Sequence, residues 1–107
     1  PVIFAIIGGN PEQFKPLFQY YRELWDHFGH DKKNFQVGVH MHSFFGEDSK
    51  QTADAYYPVY AAQMNRVGAS RGCAPFSRSQ YEFGRSKTGA YLFGDANEAV
   101  DKILAMH

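Results

Sequence analysis

A charge imbalance, a disulfide and a membrane-length apolar run are all missing from this sequence, and each absence removes a class of function. Eleven basic and eleven acidic side chains cancel, so no net field gathers phosphate polymers or anionic lipid from a distance. Neither nucleic acid nor a membrane is an expected partner. The single cysteine, Cys73, cannot close an intrachain disulfide. No stretch reads as a signal peptide or as the roughly 18 consecutive apolar residues that begin to suggest a bilayer span. A cytoplasmic setting is expected, with Cys73 a free thiol.

What the chain has in quantity is aromatic: 10 Phe, 7 Tyr and 1 Trp in a sequence that is 44% hydrophobic. That composition belongs to a globular chain rather than a disordered one. A length of 107 residues allows one domain, 1–107, and no second core.

Residues 2–7, Val-Ile-Phe-Ala-Ile-Ile, are apolar without alternation and stop at Gly8-Gly9, the pattern of a strand buried on both faces. Asn10-Pro11-Glu12-Gln13 follows as a helix start, with a cap, a proline in the first turn and a capping-box partner. Phe14, Leu17, Phe18, Tyr21, Leu24, Trp25 and Phe28 recur at helical spacing before Gly29, and Pro16 predicts a distorted first turn. Phe35 to Phe45 reads as a second strand with Val37, Val39 and Met41 on one face and Gly38, His40 and His42 on the other.

Asp48 with Gln51 caps a second helix that carries Ala53, Tyr56, Tyr57, Tyr60, Met64 and Val67, with a kink expected at Pro58. Residues 69–88 read as a long loop. Ala90 to Phe93 is a short strand, and Asp95-x-x-Glu98 opens a last helix on Ala99, Val100, Ile103 and Leu104. The order βαβαβα predicts an α/β fold with a parallel sheet and right-handed crossovers, about three units of a (β/α)8 barrel, which takes ~250 residues when complete.

Ligands of such sheets gather at the carboxyl ends of strands. Gly8 and Gly9 would admit a flavin ring or a phosphate to the backbone, or simply form a tight turn. His42, nearest its strand's end, is a candidate proton donor, while His40 lies deeper and is either a second site residue or a packing residue. The pair also fits two ligands of a zinc hydrolase, if a third exists. Arg71, Arg78, Arg85 and Lys87 would hold an anion or merely solvate their loop.

Taken in order, Ala5-Ile6-Ile7-Gly8-Gly9, Tyr20-Tyr21-Arg22-Glu23-Leu24, Val37-Gly38-Val39-His40-Met41-His42, Tyr56-Tyr57-Pro58-Val59-Tyr60, Arg71-Gly72 and Gly89-Ala90-Tyr91-Leu92-Phe93-Gly94-Asp95 resemble the luciferase-like flavin monooxygenases. The resemblance covers nearly the whole chain but only the C-terminal part of that family's barrel. It implies an oxidoreductase that uses FMN or a deazaflavin on a small-molecule substrate. Ile7, Gly8 and Gly9 would lie beside the ring, His40 and His42 on the next strand, and Arg71-Gly72 at the start of a substrate loop. The chain is expected to be incomplete for catalysis alone and to join either the missing N-terminal barrel portion or copies of itself, as a homodimer or higher. A non-catalytic, self-associating α/β remnant is the alternative.

Overall fold

Strand β1, Val2–Ile6, ends where expected, and Gly9 takes a φ of 73° to turn the chain out of it. The computed structural model describes all 107 residues. Asn10 accepts the Glu12 N–H at 2.9 Å and starts a 3-10 turn over Pro11–Phe14, from which helix α1, Lys15–His27, continues. The distorted first turn is therefore real. Pro16 sits in the first turn of α1 itself, where its missing N–H has no partner to lose.

The expected second strand divides at His42 into β2, Val37–Met41, and β3, Ser43–Phe45. β1 pairs with β2 in parallel, Val2 opposite Val37 and Ile6 opposite Met41. The second parallel pair joins β3 to β4, Leu92–Gly94, with Ser43 opposite Leu92. Mixed helix and parallel strand is thus the architecture, in two two-stranded sheets rather than one sheet of three. At the break, the His42 carbonyl accepts the Leu92 N–H at 3.0 Å, where β4 begins its own pairing.

Helix α2, Ser49–Ala69, starts on the Asp48 cap, whose carboxylate accepts the Gln51 N–H at 2.8 Å, and carries Pro58 inside it. The 69–88 loop expectation is corrected by helix α3, Arg78–Arg85, which opens on a capping box formed by Ser77 and Gln80. Periodicity hid this helix because only Tyr81 and Phe83 in it are apolar, whereas the Ser-x-x-Gln signal was present. Helix α4, Ala96–Met106, begins as expected on Asp95, which accepts the Glu98 N–H at 2.8 Å. No helix is long and apolar enough to cross a membrane.

The core is built from tyrosine and phenylalanine. Tyr60, Tyr81, Tyr91 and Phe93 are buried with Ile6, Ala53 and Ala90. Tyr81 and Phe93 stack with ring centres 5.4 Å apart, and Tyr91 and Phe93 stack at 5.0 Å. Buried phenols need partners; the Tyr81 hydroxyl donates to the Ala53 carbonyl at 2.7 Å, which ties α3 to α2.

One edge of β4 is closed by side chains and by the end of α3. The Tyr91 N–H donates to the Gly84 carbonyl at 2.8 Å, Lys102 Nζ donates to the carbonyls of Gly84 and Tyr91 at 2.9 and 2.6 Å, and Arg85 Nε donates to that of Phe93 at 3.2 Å. These bonds occupy backbone groups that an edge strand otherwise offers to another chain.

The other half of the molecule is thinly covered. Of 13 buried residues only Ile6 precedes Ala53, and α1 buries none of its side chains fully. Phe14 and Phe18 meet Phe4 on one face of β1, but Ile3 on the other face is 61% exposed. The molecule is a slab of 48 × 36 × 17 Å with a radius of gyration of 16.3 Å, against ~13 Å for a compact domain of this length. Its accessible surface is 7662 Å², whereas a folded monomer of this mass exposes roughly 6,100 Å².

Two measurements probe the covered half. A β-carbon on Gly84 would run into the Tyr91 ring, so Gly84→Ala is expected to destabilise the fold by about 1–3 kcal/mol by overpacking, although alanine is the better helix former. Urea unfolding that shows Gly84→Ala equal to or more stable than wild type would contradict this packing.

Burial pushes the Lys102 ammonium from its ordinary 10.5 to about 8, against the pull of Glu98 and with a smaller push from Arg85. The folded state thus favours the neutral amine, and stability should rise as pH climbs from the folded toward the unfolded pKa. Burial also raises the phenols of Tyr60 and Tyr81, the latter to about 12. Above pH ~10 the unfolded tyrosines ionise first and stability falls again. Urea midpoints are expected to increase between pH ~7.5 and ~9.5 and to drop above pH ~10.5, with the increase absent in Lys102→Met.

Candidate functional site

The carboxyl end of β1 opens onto a groove of about 520 Å³. Ile7, Gly8 and Gly9 form one side, and Met64 of α2, Phe83 of α3 and Tyr91 line the rest. The strand's apolar run positions this end, and the glycines keep it open. A β-carbon on Gly8 would lie 4.0 Å from the Tyr91 hydroxyl, so the bare backbone leaves room for a flat group to approach. Half of the ten lining residues are hydrophobic and none is charged; Ser79 and Gln80 supply the side-chain polarity. Such a surface suits an uncharged ring system and offers no cation to a phosphate.

His42 stands at the break between β2 and β3, half-buried, with Nδ1 and the Tyr60 hydroxyl hydrogen-bonded at 2.7 Å. Burial, reinforced by Tyr91, Tyr56 and Tyr81, holds the Tyr60 phenol well above its usual ionisation range. The bond joins a neutral phenol to an imidazole nitrogen, and the imidazole tautomer decides which of the two donates. Tyr60 in turn packs edge-on against Tyr91, ring centres 5.2 Å apart, and Tyr91 lines the groove. Neither His42 nor Tyr60 is among the groove's lining residues, and the pair reaches it through Tyr91.

His40 is placed elsewhere. It is exposed and lines a different groove, between α1 and α4, so β2 does not bring the two histidines to one site. No group of three His, Cys, Asp or Glu side chains converges anywhere, and the third ligand that a zinc reading requires is not assembled. Arg71 and Gly72 form the turn that ends α2, with Gly72 at a φ of 71°; both are exposed and neither lines the groove beside Gly8. Arg78 is held by Asp54 and Glu82, and Arg85 by Glu82 and the Phe93 carbonyl, so these cations serve the fold. Cys73 is a free, exposed thiol.

No protein-family model matches the chain. None of the curated proteins matches it either. The site therefore rests on its own geometry.

Sequence reasoning missed the partners that complete the groove. Tyr60 and Met64 recur at helical spacing in the sequence, which carries no sign that Tyr60 pairs with His42 or that Met64 lines the groove. Ser79, Gln80 and Phe83 lay inside the expected loop, and the capping box at Ser77 was the one signal that would have recovered them.

A double-mutant cycle checks the histidine. Tyr60→Phe and His42→Ala are each expected to cost about 1 kcal/mol or more, with a coupling of roughly 0.5–1.5 kcal/mol between them. His40→Ala should stay within about 0.5 kcal/mol of wild type. Strict additivity of the first two would mean that the His42–Tyr60 bond contributes nothing.

Proposed function

We propose that this chain carries part of the flavin site of a luciferase-like monooxygenase or oxidoreductase, within a segment of a (β/α)8 barrel. The observation that supports this reading is the groove at the end of β1, where the three residues that the resemblance sets beside the ring meet an aromatic, uncharged surface. Ile7 and Tyr91 would lie against the ring of FMN or a deazaflavin. Gly8 and Gly9 would let it approach the backbone. When bound, such a cofactor supplies electron transfer that no side chain can. The chain's own part is to exclude water with Met64, Phe83 and Tyr91 and to hold a proton at the His42–Tyr60 pair.

The phosphate of FMN finds no cation among the groove's lining residues. It would be held by the remainder of the site, supplied by other segments. Binding by this chain alone is accordingly weak, because only one side of the ring's surroundings is present. His40, Arg71 and Gly72 take no direct part in this version of the site. A second reading, a non-catalytic α/β binding domain, draws support from the excess accessible surface described above.

Titration of FMN and of a 5-deazaflavin, followed by their fluorescence, separates the two readings. Saturable quenching with a Kd of about 0.1–1 mM is expected, weakened at least fivefold or so by Gly8→Val at unchanged circular dichroism. Absence of any saturable change up to about 1 mM would favour the binding-domain reading. One tightly held flavin per chain would show instead that the site is complete.

A further inference from the structure

Between α1 and α4 runs a second groove, about 800 Å³ in volume. Its floor is β2, all five residues of which line it, Val37, Val39 and Met41 among them, and its walls are Phe18 of α1 with Ile103 and Met106 of α4. The apolar face of a parallel strand is ordinarily roofed by a helix, yet Val39 remains 44% exposed. Beside the groove α4 presents Val100, Ile103 and Leu104, spaced as one stripe of a helix, and Leu104 is 68% exposed. An unroofed strand and an unpartnered helix stripe lie side by side.

We propose that this face binds a second copy of the chain, α4 of each protomer lying over the α1–α4 groove of the other about a two-fold axis. Three observations favour a second copy over an unrelated partner. The first is that the groove and the helix stripe that would fill it belong to the same surface, the condition for an isologous contact.

Area is the second. The chain's 7662 Å² exceeds the value for a folded monomer of its mass by about 1,600 Å², and a stable interface takes ~800 Å² from each partner. Burying the α4 stripe and the groove floor draws on that excess.

Charge is the third. The groove is lined by two full cations, Lys15 and Arg22, and by Glu12, whose carboxylate is paired with Lys15. Arg22 has no carboxylate partner; it rests over the Phe35 ring, 5.3 Å from its centre. On α4, Asp101 is exposed and likewise forms no ion pair. An incoming α4 brings Asp101 to Arg22, and the two-fold makes that contact twice.

Sedimentation of the whole chain between about 1 and 200 µM tests the proposal without any flavin. The expected result is a species of twice the chain's 12.2 kDa. Leu104→Glu, a change at an exposed position, should raise the dimer Kd at least about tenfold with circular dichroism unaltered. Asp101→Arg and Arg22→Glu should each weaken the dimer, and the two together should restore much of the loss, as an exchanged ion pair requires. A mass of 12.2 kDa throughout would overturn the proposal and leave the groove to a different segment or partner. So would a dimer that tolerates Leu104→Glu but is broken by Ile3→Lys, which would place the contact at β1.

Discussion

A core made of phenols has to find acceptors for their hydroxyls, and much of this fold follows from where those acceptors are. Tyr81 reaches the Ala53 carbonyl and so fixes α3 against α2. Tyr60 reaches His42 and so fixes α2 against the break between β2 and β3. A leucine core of the same volume would pack without such addresses, and its elements would be free to slide. The same requirement puts a histidine and a tyrosine in contact, and that tyrosine packs against Tyr91, which lines the groove at the end of β1. Tyr91 belongs both to the core and to the groove.

Lys102 applies the same logic to the backbone. β4 is only three residues long, too short to hold its place by ladder bonds alone. Its outer carbonyls are met by a buried ammonium from α4 and a guanidinium from α3. The cost of burying that ammonium is visible in its lowered affinity for a proton. Two carbonyls and a helix end offset it.

The sequence made the class of fold legible because caps and apolar runs are local signals. Gly9, Asp48 and Asp95 each act where the pattern put them, and Ile7-Gly8-Gly9 line a groove. Three things were not legible. The break at His42 coincides with a bond to Tyr60, 18 residues away, and with the switch of pairing to Leu92, which no window of strand alternation contains. Helix α3 has too few apolar residues to show a period, although its cap was written in Ser77 and Gln80. His40 and His42 share a strand face in the alternation, yet the structure gives one to Tyr60 and the other to solvent. For the two histidines a tertiary partner overrode a local pattern, whereas for α3 the local signal was a cap and not a period.

Twelve of the 13 buried residues lie from Ala53 onward, and that imbalance has a consequence for motion. Opening free energy follows local burial, and lightly packed segments open and close many times before a chain unfolds as a whole. Helix α1 buries no residue fully and is fastened to the rest mainly through Phe14, Phe18 and the β1–β2 ladder. The first third of the chain, which contributes only Ile6 to that core, is therefore expected to open at lower free energy than the tyrosine cluster. Ile7, Gly8 and Gly9 lie in that segment and Tyr91 belongs to the core, so such an opening would widen the groove between them. A ligand wedged there would act as a clasp, holding two halves of unequal stability together.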